Sequence, residues 1–261
     1  MRFKGKVIAI TGAASGIGRE SALRLASEGA DIAALDLSEE GLSSLRSEIK
    51  NIGRRCETVT GSVAELGNIK AIVDRAIDTF GGLDGLINNA GVGGPMQRFD
   101  KVNSDDFDKM IAINLKPVWY GMQLVYATMR ERGGGAILNV SSMAGIVPNR
   151  HHALYGMTKA AIISLTQHAA MDYAANNIRV NSLCPGPVKT TMFDQMREQI
   201  GQKAYEDAVQ NLMQRTLLNR FGTTSEQAAT VAFLLSDEAA FITGIAMPVD
   251  GGWSISDGHT R

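Results

Sequence analysis

The sequence predicts one doubly wound α/β domain built on a parallel sheet. Three observations carry that expectation. Short apolar runs alternate six or seven times with helical stretches. Glycines, 28 of 261 residues, gather where the apolar runs end. No linker, internal repeat or low-complexity segment breaks the chain. Parallel strands need crossover helices, which cover both faces of the sheet.

The elements follow in order. Val7-Ile8-Ala9-Ile10 reads as a buried strand that stops at Thr11-Gly12. A helix over 19–28 carries Ala22, Leu23, Leu25 and Ala26 at helical spacing, and Gly29 stops it. Asp31-Ile32-Ala33-Ala34-Leu35 is the next strand, closed by Asp36, and a polar helix spans 39–51. A strand at 56–59 leads to a helix at 64–80, with Ile69, Ile72, Val73, Ala76 and Ile77 on one face. Leu86-Ile87 lies in a strand before Asn88-Asn89-Ala90-Gly91. Ser104 is placed to cap one helix running to about residue 130. Pro117 interrupts that helix: lacking an N–H, it cannot bond the carbonyl of Ile113, so a kink is expected there. Strands at 136–140, 178–183 and 245–249 and helices at 154–175 and 225–235 complete the alternation. Residues 189–220 depart from it as an insertion rich in Met and Gln, and insertions of that length tend to be functional.

Composition excludes several classes. With 44% hydrophobic residues the chain is not a disordered linker. Lys and Arg number 26 against 27 Asp and Glu, without the basic excess of a nucleic-acid binder. No apolar run reaches membrane-spanning length, and the start Met1-Arg2-Phe3-Lys4-Gly5-Lys6 has no signal-peptide core behind its charges. Cys56 and Cys184 lack metal or redox spacing, so no metal site is expected, and reduced thiols fit a cytoplasmic location.

The most informative glycines are in Thr11-Gly12-Ala13-Ala14-Ser15-Gly16-Ile17-Gly18, between a strand and a helix. There the backbone can turn tightly and approach a phosphate, which the free N–H groups and dipole of the helix start would bind. Asp36 ends the second strand, where a carboxylate can accept from a ribose diol and repel a 2′-phosphate. Leu37-Ser38 follow it, without a basic residue there or in the loop, and this favours NAD over NADP. An ordinary solvated Asp is the plainer alternative for Asp36.

At this point the chain resembles the classical short-chain dehydrogenase/reductase family, from about residue 6 to 252. The resemblance rests on Thr11-Gly12-x-x-x-Gly16-x-Gly18, Asn88-Asn89-Ala90-Gly91, Asn114, Ser142, Tyr155-x-x-x-Lys159, and Asn181 with Pro185-Gly186. It implies a Rossmann-like three-layer sandwich around a seven-stranded parallel sheet, and hydride transfer between a nicotinamide and an alcohol or carbonyl. By resemblance Ser15, Ile17, Leu37 and Val63 also belong to the cofactor site, with Asn89, Ala90 and Gly91 beside the adenosine. Pro185, Gly186, Val188 and Thr190 would lie against the nicotinamide. Ser62 stands where the family usually has Asp, so an uncharged acceptor would meet the adenine amino group.

The chemistry can be argued beside the resemblance. Tyr155 and Lys159 share a helix face, and a nearby ammonium favours the phenolate and lowers the phenol pKa. Tyr155 would exchange a proton with the substrate oxygen, while Ser142 holds that oxygen. Ser141 is the competitor, and the family's spacing to the tyrosine selects Ser142. Asn114 matches the asparagine that holds a relay water leading to the lysine, and the opening at Pro117 would help seat that water.

The resemblance puts the substrate pocket above the nicotinamide, under a substrate loop at about 189–220. Its expected walls are Gly93, Gly94, Met96, Met143, Asn149, Leu154, Pro187, Met192, Phe193 and Met196. The Met content makes them adaptable. No Arg or Lys stands out as placed to grip a substrate carboxylate, with Lys189, Arg150 and Arg197 left open, and His151-His152 belong either to the rim or to the substrate. The expected substrate is a small to medium secondary alcohol, diol or ketone. An NADPH-dependent 3-oxoacyl thioester reductase is the alternative within the family, and a non-catalytic dinucleotide sensor a remote one. A sugar-nucleotide epimerase would need a longer substrate domain. By resemblance the chain forms a homotetramer of dimers. Helices around 104–130 and 154–175 would pair through residues such as Phe107, Met110, Ile111, Leu124, Ala161, Leu165 and Ala169, and the tail 254–261 could reach a neighbour.

Overall fold

A computed structural model describes residues 1–256, without the side chains of Thr191, Met192, Asp194, Gln195 and Gln199. The tail expectation therefore falls mainly on residues outside the description. Seven strands form one parallel sheet: β1 (Val7–Thr11), β2 (Asp31–Asp36), β3 (Cys56–Thr60), β4 (Gly85–Asn88), β5 (Gly135–Val140), β6 (Ile178–Pro185) and β7 (Ala246–Val249). Their order is β3-β2-β1-β4-β5-β6-β7. The chain winds outward from β1 to β3, then returns to the other side of β1 with β4. Such a switch opens a crevice at the carboxyl ends of β1 and β4, where doubly wound folds bind ligands.

Helices cover both faces. On one lie α1 (Gly16–Ser27), α2 (Glu39–Asn51) and α9 (Thr224–Leu235); on the other α3 (Leu66–Phe80), α5 (Lys116–Glu131) and α6 (Ala153–Tyr173). The strands alternate between two cores. Ile8, Ile10, Ile32 and Ala34 enter the first, while Val7, Ala9, Ala33 and Leu35 enter the second. Each fully buried Ile or Leu contributes about 1.5–3 kcal/mol relative to exposure. This double burial is why the strands read as continuous apolar runs.

The structure departs from expectation in four places. The helix expected from Ser104 is three segments: α4 (Ser104–Met110), a π turn over Ile111–Leu115, and α5. The opening lies just before Pro117, as its missing N–H demands. The cap is Asn103, whose Oδ1 accepts from the Asp106 amide at 2.7 Å, rather than Ser104. Residues 189–220 are largely helical: α7 (Thr191–Ile200) and α8 (Gln202–Gln214) are separated by Gly201, whose φ of +80° lets the chain turn between them. Ile77 is at the margin of the apolar stripe of α3 and is exposed, whereas Ile69, Ile72, Val73 and Ala76 are buried.

Among the residues expected at a subunit interface, Phe107 is exposed. Met110 is instead buried beside Gly94, where an added Cβ would stand 2.6 Å from the Met110 sulfur. Leu124, Leu165 and Ala169 pack partly onto the second core. No described helix is long and apolar enough to cross a membrane.

Candidate active site

The turn after β1 is fixed by sterics. Gly12 and Gly16 have φ of +67° and +56°, where side-chain-bearing residues are strained. A Cβ on Gly18 would lie 2.1 Å from the Gly12 carbonyl oxygen, so α1 and the turn touch backbone to backbone. Ser15 precedes α1 but makes no side-chain cap, and the first turn of α1 carries no acidic residue. The helix start is left free for an anion, as a pyrophosphate requires. Ile17 lies in the same first turn.

The segment after β4 clamps this turn. Asn89 Nδ2 donates to the carbonyls of Thr11 and Gly12 at 3.0 and 2.9 Å, and Thr11 Oγ1 accepts from the amides of Asn89 and Ala90. Gly91 follows in the same segment. A Cβ there would stand 3.2 Å from Asn114 Oδ1 and 3.5 Å from Lys159 Nζ, so it borders the expected catalytic residues.

The Asp36 carboxylate accepts from the amides of Ala14 at 2.9 Å and Ser38 at 3.0 Å. Two bonds leave capacity on its two oxygens for a diol. Leu37 is exposed beside it. Arg19 reaches the Ala14 carbonyl, but its guanidinium is engaged by the Gly41 carbonyl and by Glu48 at 2.7 Å. Ser62 Oγ accepts from the Ala64 amide at 3.2 Å, and Val63 is buried next to it.

The strand-end loop after β5 and the first turns of α6 bring together the expected catalytic groups. Ser142 Oγ accepts from the Ala144 amide at 3.1 Å and lies close enough to Tyr155 to favour its phenolate. Ser141 Oγ instead donates to the Lys159 carbonyl at 2.7 Å and is buried, which removes it as a competitor. Lys159 Nζ donates to the Val140 carbonyl at 2.8 Å and sits 5.5 Å from the centre of the Tyr155 ring. The expected lowering of the phenol pKa is not found. Burial pushes the Tyr155 phenol up, against a smaller opposing effect of Ser142. Burial lowers Lys159 to about 8. Both groups resist charge because both are out of water.

Asn114 occupies the π turn. Its amide exchanges two bonds with the Val92 backbone, each 2.9 Å, and Nδ2 also approaches Thr158 Oγ1 at 3.4 Å. The widened turn thus ties α4 and α5 to the chain after β4 and to α6.

The carboxyl end of β6 brings the other expected cofactor segment close. Gly186 is pressed against Asp250, whose Cα a Cβ would meet at 2.6 Å. Val188 is buried and bridges to Gly222, and Thr190 approaches Gly16, 3.5 Å from where a Cβ on that glycine would be. Pro185 ends β6. Of the expected pocket walls, Gly93 and Pro187 lie in the flanking segments, and Met196 is half-buried on α7. Met192 falls among the undescribed side chains. Met143 is a correction: it is fully buried in a small core with Cys184 and Trp253, so it backs the site instead of lining it. Asn149 Oδ1 accepts from Arg215 Nη1 at 3.1 Å, and the Arg215 guanidinium stacks on Trp253. A groove of about 450 Å³ lies elsewhere, among Glu20, Leu23, Arg24, Glu48, Ile52 and Ala228.

Residues 12–254 match the family model described as enoyl-(acyl carrier protein) reductase. The chain belongs to the short-chain dehydrogenase/reductase family. It is 34% identical to levodione reductase of Leifsonia aquatica over 97% of this chain and 96% of that protein. The crystal structure of levodione reductase superposes with a TM-score of 0.93, covering 97% of this chain and 99% of the other. A crystal structure of NAD+-bound xylitol dehydrogenase gives 0.91 at 34% identity, covering 97% and 100%. A 3-oxoacyl-[acyl-carrier-protein] reductase of Thermotoga maritima is 38% identical over 97% of this chain and 99% of its own length. The protein is an oxidoreductase of a family that uses nicotinamide cofactors.

In this short-chain dehydrogenase/reductase, two residues beside the candidate site carried no sequence signal, and a third carried only an ambiguous one. Thr158 donates to the Tyr155 carbonyl and supports Asn114. Arg215 fastens α8 to Asn149. His152, left open between rim and substrate, stacks on Tyr155 with ring centres 4.9 Å apart. Residues so placed are recognisable only once long-range contacts are known.

Proposed function

We propose that the protein interconverts a small to medium secondary alcohol or diol and its ketone, using NAD. The observation that carries this reading is the meeting of Ser142, Tyr155, Lys159 and Asn114 at the carboxyl end of the sheet, beside an uncapped helix start. Bound NAD would supply the hydride acceptor, and NADH the hydride donor. The residues placed to hold the dinucleotide are Gly12, Ser15, Gly16, Ile17 and Gly18 at its pyrophosphate and Asp36, Leu37, Ser62 and Val63 around its adenosine. Asn89 and Ala90 clamp the glycine turn. Pro185, Gly186, Val188 and Thr190 belong at the nicotinamide.

Tyr155 is the acid and base. Its hydroxyl gives a proton to the ketone oxygen in reduction and takes one from the alcohol in oxidation. Ser142 donates to the same oxygen and steadies its developing charge. When Lys159 is protonated, its charge favours the phenolate. Asn114 and Lys159 flank the space beside Gly91, where a water could pass the proton outward. The π turn provides the geometry for that route.

Asp36 supports NAD over NADP, since its carboxylate keeps capacity to accept from a ribose diol and Arg19, beside the glycine turn, is paired with Glu48. The relative in Thermotoga keeps a second reading in view, a 3-oxoacyl thioester reductase using NADPH. Exposed Phe107 and Trp119 on α4 and α5 are consistent with a homotetramer of dimers. The test is an absorbance screen at 340 nm of secondary alcohols, diols, ketones and 3-oxoacyl thioesters with both dinucleotides. NAD-linked turnover of the alcohols is expected; turnover confined to thioesters with NADPH overturns the reading.

A further inference from the structure

Three features converge on His152, just before α6. His151 adopts a left-handed backbone, φ +64°, an uncommon conformation for a residue with a side chain. Its carbonyl accepts from the Gln97 amide at 2.9 Å, tying this turn to the loop after β4. The turn directs the His152 ring onto the Tyr155 ring, with centres 4.9 Å apart and planes 29° apart. The Gly93 backbone lies beside the ring in the sense that favours its protonated form, as a carbonyl facing a ring N–H does.

Burial pushes the His152 pKa below the usual histidine value, against that smaller opposing effect of Gly93. A neutral imidazole has one donor nitrogen and one acceptor nitrogen. Gly93 uses the donor. No bond to the acceptor is found among the described residues, and the ring is held against that of Tyr155.

We propose that His152 is a specificity residue that accepts a hydrogen bond from a second hydroxyl of the substrate, on the carbon next to the reacting one. The favoured substrates are then vicinal diols and the corresponding hydroxyketones. This rests on the alcohol–ketone reading above and narrows its substrate class. An unpaired half-buried acceptor penalises a substrate that lacks the matching donor.

The experiment compares kcat/KM for 1,2-cyclohexanediol, cis and trans, with that for cyclohexanol. The wild-type protein, His152→Phe and His152→Gln are compared. Phe keeps a stacked ring and loses the acceptor; Gln restores an acceptor without the ring. The wild-type protein is expected to favour at least one diol isomer, and His152→Phe to lower that diol-to-cyclohexanol ratio by roughly 10- to 100-fold. His152→Gln should recover part of the ratio. A ratio unchanged in His152→Phe overturns the inference while leaving the alcohol–ketone reading standing. Absence of turnover of any alcohol or ketone with either dinucleotide overturns that reading, and this inference with it.

Discussion

The two ends of the candidate site are built by different means. At the dinucleotide end, the backbone forms the surface: Gly12, Gly16 and Gly18 bring main chain against main chain, and Asn89 and Thr11 hold the turn from behind. At the substrate end, side chains from separate segments meet: Gly93 with His152, Asn149 with Arg215, and Met143 with Trp253. A backbone surface tolerates almost no added atom. A side-chain surface can be altered one residue at a time.

The sharpest way to break this contrast is Gly18→Ala. Its methyl would be 2.1 Å from a carbonyl oxygen that has nowhere to go. The expected result is loss of NADH binding by fluorescence titration, with stability lowered by about 1–3 kcal/mol or more in urea unfolding. Normal binding and stability in this variant would remove the steric argument for the turn. Gly91→Ala sharpens the comparison because its methyl faces Asn114 and Lys159 at 3.2 and 3.5 Å, where a small adjustment is possible. Its kcat is expected to fall roughly 10-fold, of the order of one perturbed proton transfer, with NADH affinity little changed.

The pH dependence follows from the buried pair. Reduction needs the Tyr155 phenol and oxidation its phenolate, so reduction should slow and oxidation quicken as pH rises through a pKa that burial has raised. Lys159→Met removes the nearby cation that favours phenolate, and should move the oxidation limb about one to three units upward. A limb that stays in place would mean that Lys159 does not act on Tyr155. The smallest effect is expected for Arg215→Met at the substrate end. It loses one hydrogen bond to Asn149 and the stack on Trp253, costing about 1 kcal/mol in urea unfolding. Its main kinetic effect should be on KM.

This same contrast explains what could be read from the sequence. The strands are legible because both faces are buried, and the glycine turn because its spacing is a local steric requirement. Tyr155 and Lys159 are four apart on one helix, and Pro117 announces the opening before it. His152 was visible only as a choice between rim and substrate, because its role depends on Gly93 and Gln97, far away in sequence. Arg215 gave no signal, since its partners come from two other segments. The helical pair at 191–214 was read as an insertion because its helical pattern, broken at Gly201, was weaker than its departure from the strand–helix alternation. The motif gives no sign that Gly91 borders Asn114 and Lys159, which the fold brings to it from other segments. Burial, invisible in a residue spacing, reversed the expected direction for the Tyr155 phenol.

The central claim is that Tyr155 transfers the proton. Its most direct measurement is Tyr155→Phe, assayed for turnover at 340 nm and for NADH binding by fluorescence in the same preparation. A loss of turnover on the order of 10²- to 10⁴-fold with NADH affinity essentially unchanged is the expected result. Turnover close to that of the unaltered protein, with NADH bound normally, would contradict the account.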